Sequence, residues 1–122
     1  MNATHDWPAV AGDLVQALKP LRAGAPEAMT AFSGLARAAL EPKALSTKTK
    51  ELIALAISVA TRCDGCIAFH AEAAVKHGAS REEVMETMGM AIYMGAGPSV
   101  MYAAQALEAF DQFSAKPLAK AG

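Results

Sequence analysis

Leu52 to Ala60 reads LIALAISVA, a run that is apolar on nearly every side of a helix. A helix of that kind belongs in the middle of a bundle, with other elements packed round it. The flanks agree, since Thr47 to Thr61 is almost entirely helix-forming and opens on the candidate N-caps Ser46 and Thr47. Alternating Val, Ile, Thr and Tyr segments are absent, and Asp64-Gly65, the one turn-like pair, lies between helical patterns. Aromatic residues make up only 6% of the chain, and much of its 53% apolar content is Ala, Leu and Met. That composition suits helix-on-helix packing, so the expected fold is all-α, one domain over residues 1–122 with about six helices.

The other helices follow from their punctuation. Residues 1–24 hold a first helix, Trp7 to Leu18, stopped by Pro20 and Gly24. Pro26 to Leu40 makes the second, and Ile67 to His77 makes the fourth, closing at Gly78. Ser80-Arg81-Glu82-Glu83 is a capping box that starts a fifth helix reaching about Met94. The sixth starts at Gly97-Pro98 and runs to about Phe113, leaving 114–122 as a frayed tail. Thr87 to Leu107 carries no charge and is long enough to span a bilayer, but Gly95 to Pro98 cuts it in two. No membrane segment or secretory leader is therefore expected, and the expected compartment is the cytoplasm. A net charge of −1 also argues against a nucleic-acid partner. Apolar residues on the last two helices, Met85, Tyr93, Met94 and Met101 among them, exceed what one small core needs and suggest a subunit interface.

Glu51, Cys63, Cys66 and His70 fall in the spacing E-x11-C-x2-C-x3-H, and the two cysteines are the only ones in the chain. Cys63 falls near the N-cap of the fourth helix and Cys66 within its first turn, where unpaired N–H groups favour a thiolate. His70 lies four residues beyond Cys66, on the same face. Glu51 is a carboxylate at the edge of a dry helix and needs a partner, for which His70 is the best placed. An antiparallel pair of helices leaves open whether Glu51 faces the cysteines; a kinked or crossed pair brings it to the imidazole. In a reducing compartment such a CxxC is redox-active or metal-binding. A zinc site would use Cys63, Cys66 and His70 with Glu51 or His77, although the spacing is short for a structural site. A non-catalytic reading makes Glu51 and His70 a satisfied core pair. His77 reads as a dipole partner at a helix end, His5 as solvated, and Tyr93 and Tyr102 as packing residues.

The E-x11-C-x2-C-x3-H pattern resembles the alkylhydroperoxidase AhpD-like core of the carboxymuconolactone decarboxylase superfamily. The resemblance covers Leu45 to Phe113, and Ala91 to Pro98 is similar to the helix hairpin of its short members. It implies an all-α homo-oligomer, a trimer or hexamer, without a cofactor. It also implies a peroxiredoxin-type oxidoreductase whose CxxC reduces hydroperoxides and is recycled by a lipoyl-like or thioredoxin-like dithiol, with Glu51 and His70 relaying a proton. On that basis Cys66 attacks the peroxide, Cys63 resolves the sulfenic acid, and the reverse assignment is the alternative. One departure stands out: Gly65 occupies the place of a histidine in the best-known AhpD enzymes. The decarboxylase branch uses no CxxC, so the retained cysteines favour thiol chemistry. A decarboxylase-like enzyme or a redox sensor on the same scaffold are the other readings.

Overall fold

In the computed structural model, which describes residues 2–115, the chain is helical and contains no strand among the described residues. The helices are α1 (Trp7–Gly24), α2 (Pro26–Leu40), α3 (Thr47–Ala60), α4 (Asp64–Lys76) and α5 (Arg81–Ala115). The expected starts of α2, α3 and α5 are found. Ser46 caps α3 by accepting from the Thr49 N–H, and Pro26 stands in the first turn of α2. Ser80 and Glu83 form the reciprocal box at the head of α5, at 2.8 and 3.1 Å.

Three boundaries differ from expectation, the first being that α4 begins at Asp64 rather than Ile67 and takes Asp64-Gly65 into its first turn. The first helix does not stop at Leu18 but carries Pro20 in its interior and continues to Gly24. Pro20 and Gln16, the residue four before it, are both exposed, so the carbonyl deprived of its donor lies on the solvent side. The expected fifth and sixth helices run on as one element, broken at Ala96, whose φ of 55° and ψ of −144° are not helical. Gly95 permits the close approach there, because a Cβ on it would lie 1.8 Å from the Ser99 hydroxyl. The break divides the uncharged Thr87–Leu107 stretch, and no described helix is long and apolar enough to cross a membrane. The expected frayed tail begins within α5 at 114–115; residues 116–122 lie outside the described residues.

The core is built from α3, α4 and α5, with α1 laid across α4 and α5. Trp7, Leu55, Val59, Ile67 and Val84 are fully enclosed. The LIALAISVA helix is central, as expected, but not wrapped, since Ile53 and Ile57 remain 44% and 56% exposed. The helix α2 touches only α1 and α3 and buries none of its residues, leaving Phe32 and Leu35 bare. The apolar surplus on α5 splits: Met88 and Phe110 enter the core, whereas Tyr93, Met94 and Met101 face outward.

The N-terminal segment is clasped to the end of α5. The Trp7 amide donates to Gln112 Oε1 at 2.7 Å and its indole donates to Glu108 Oε1 at 2.9 Å. Gln112 in turn donates to the His5 carbonyl, and the Thr4 amide and hydroxyl both donate to Glu108. Burial pushes the Glu108 carboxyl up, but the bonds from Thr4 and Trp7 outweigh it and hold the group below the usual carboxylate range.

Candidate active site

A turn of three residues, Thr61 to Cys63, links α3 to α4 and so sets the geometry of the thiols. Arg62 adopts a left-handed φ of 56°, its amide donating to the Val59 carbonyl and the Cys63 amide to Ser58. The reversal leaves Cys63 extended, as the N-cap of α4. Its Sγ accepts the N–H of Cys66 at 3.2 Å, filling the role that a serine or aspartate oxygen plays at an ordinary cap. Cys66 lies in the first turn, and the two sulfurs are joined as a disulfide with Cα atoms 5.2 Å apart.

The next turn of α4 carries His70. Its Nδ1 lies 2.7 Å from Glu51 Oε1, contributed by the second turn of α3. The α3–α4 pair therefore does bring the carboxylate to the imidazole. Glu51 is only 4% exposed, whereas the His70 side chain keeps 32% of its surface open. When Glu51 is ionised it can only accept, and the contact then requires a proton on Nδ1 and leaves Nε2, in the neutral ring, as the acceptor. That orientation is what a general base one turn from a thiol requires. Beyond Glu51 an open cleft of about 680 Å³ is lined by Arg37, Leu40, Thr47 and His77, among others.

The other sequence candidates separate from this cluster. His77 is the C-cap of α4, about 20 Å along the helix from Cys63, too far to share a metal with the cysteines. Among the described residues no three His, Cys, Asp or Glu side chains are grouped to hold a metal ion. Tyr93 is 78% exposed and Tyr102 packs at the edge of the core.

The sequence model described as "Carboxymuconolactone decarboxylase family" matches residues 26–109. The chain belongs to that family. A crystal structure of an apo carboxymuconolactone decarboxylase family protein from Legionella pneumophila is similar, with a TM-score of 0.86 and 55% sequence identity. The likeness covers 88% of this chain and 96% of that one. An uncharacterised protein of Cupriavidus necator is 44% identical over 90 residues, 74% of this chain and 80% of its own length. One from Haemophilus influenzae is 42% identical over 105 residues, 86% of this chain and 93% of its own.

The carboxymuconolactone decarboxylase family match begins at the first residue of α2, so α1 and the N-terminal segment lie outside it. Both bear on this member's thiol site. A Cβ on Gly65 would lie 2.7 Å from Leu14 Cδ1, so α1 fills the space that a side chain between the cysteines would take. His5, expected to be solvated, is half-buried instead. Its ring stacks on Trp7 with centroids 4.5 Å apart, and Nε2 lies 3.6 Å from Asp64 Oδ2. No periodicity in the sequence announces Leu14 or His5 as neighbours of the CxxC; their only signal is Trp7, which a short chain seldom leaves undocked.

Proposed function

We propose that this family member is a thiol-dependent hydroperoxidase and disulfide reductase of the AhpD-like type. One observation carries the reading: the buried Glu51 holds His70 by Nδ1, one helical turn from a bonded CxxC pair. In the reduced protein the Cys66 thiol passes its proton to His70, directly or through one water. The thiolate then attacks the terminal oxygen of a hydroperoxide and breaks the O–O bond. The departing alkoxide takes the proton from His70 and leaves as an alcohol, with Cys66 now a sulfenic acid. Cys63 attacks that sulfur; the hydroxyl leaves with the Cys63 proton as water, and the disulfide forms. An external dithiol, lipoyl-like or thioredoxin-like, returns both thiols by two exchanges and becomes the disulfide itself.

A second reading reverses the cysteines, and the Cys66 N–H bond to Cys63 Sγ favours it, because the same bond stabilises a thiolate at Cys63. Trapping of sulfenic acid in Cys63→Ser and Cys66→Ser separately decides between them. Acid formed only in Cys66→Ser would reverse the assignment.

The test of the function is a free-thiol count on reduced protein before and after one equivalent of an organic hydroperoxide. Loss of both thiols within seconds is expected; loss no faster than that of a small free thiol would overturn the reading. Glu51→Gln should slow the reaction by about 100-fold, the usual weight of a positioned general base. A Glu51→Gln protein that loses stability but reacts at the original rate would make the Glu51–His70 pair structural only.

We also infer that the chain works as a homo-oligomer, with no nucleic-acid or membrane partner. The apolar stripes of α2 (Phe32, Leu35), α3 (Ile53, Ile57) and α5 (Tyr93, Met94) support the oligomer, because the subunit itself leaves all three uncovered.

A further inference from the structure

Asp64 sets a carboxylate between the two cysteines, in the first turn of α4 and next in sequence to Cys63. Such a charge opposes a thiolate at Cys63, against the help given there by the Cys66 N–H. A counter-charge comes from a segment distant in sequence. His5 approaches Asp64 to 3.6 Å, and three independent contacts hold it there: the Trp7 ring, the Thr4 hydroxyl at 3.2 Å from Nδ1, and the Gln112 bond to its carbonyl. The other charged groups around it are Asp6, the N-cap of α1, and Glu108 of α5, which Thr4 and Trp7 already occupy. Asp64 is thus the carboxylate left for the imidazole.

We propose that His5 is a positioning residue of the thiol site: paired with Asp64, it cancels the carboxylate's field on Cys63 and makes the reactivity of that thiol depend on the docking of the N-terminal segment. Only the protonated ring carries the counter-charge, so the offset belongs to the imidazolium and is lost with its proton. The inference rests on the thiol chemistry proposed above.

The experiment follows alkylation of Cys63 by iodoacetamide in the full chain carrying Cys66→Ser, which leaves one thiol, across the pH range. Adding His5→Gln should slow alkylation about threefold near pH 6, a difference that closes toward pH 9. Asp64→Asn should speed it least where the charged imidazole already offsets the carboxylate and most where that charge is lost, and in that background His5→Gln should lose most of its effect. Trp7 emission shows whether the segment stays docked. If His5→Gln releases it, the Asp64→Asn profile decides, because the clasp on Glu108 and Gln112 does not involve Asp64. Profiles that superimpose for His5→Gln with Trp7 still buried, or for Asp64→Asn, overturn the proposal. Failure to consume hydroperoxide would sink the proposed activity while leaving these profiles unchanged, so the two failures are distinguishable.

Discussion

Leu14 occupies the space beside Gly65 that a side chain there would take, and the crowding has a measurable form. Gly65→Ala places a Cβ 2.7 Å from Leu14 Cδ1, and pushing that methyl aside should cost about 1 kcal/mol in a urea melt. In a Leu14→Ala background the clash is gone and the sign should reverse, because alanine favours a helix over glycine by up to about 1 kcal/mol. Equal costs in both backgrounds would show that the space is not what excludes a side chain. Residues that act along a helix were legible in the sequence: Cys63, Cys66 and His70 share α4, and spacing alone ordered them. Glu51 was legible as a buried carboxylate needing a partner. His5 and Leu14 were not, because they reach the site through packing between distant segments that leaves no local pattern.

The break in α5 shows what an element's sequence does and does not reveal. Gly95-Ala96-Gly97-Pro98 announced an interruption, and it occurs there. The strain, however, sits on the alanine, at a backbone conformation that only glycine adopts freely. Ala96→Gly should therefore raise stability by about 1 kcal/mol. Gly95→Ala should lower it by about 2 kcal/mol or more, since its Cβ would strike the Ser99 hydroxyl. Thermal melts of the two variants moving in the same direction would refute this account of the kink. At α1 the opposite error arose. Pro20 read as a stop, yet a proline with its orphaned carbonyl on the wet side leaves the helix intact. Local sequence gives the breaker; only the surroundings say whether it breaks.

Across the whole molecule, the clasp joins the two ends of the described chain through one carboxylate. Because Glu108 titrates below the usual carboxylate range in the fold, its contribution is present above about pH 4.3 and is lost as pH falls through its lower folded value. Trp7 is the only tryptophan, so its emission should hold steady while the Glu108 carboxylate is ionised and shift to the red as acid protonates it. Glu108→Gln should abolish that acid step; a step that persists would place the titration elsewhere. The bare stripes make a second prediction at this scale: Ile57→Glu should reduce the assembly inferred above, read as a later elution in size exclusion at unchanged helical content. No residue of α2 is fully buried by its own subunit, and in the assembly inferred above neighbouring subunits would complete its packing. The melting temperature should then follow mass action. Each tenfold dilution then removes up to about 1.4 kcal/mol per association step, and α2 is the first segment whose amides exchange with solvent as the protein is diluted.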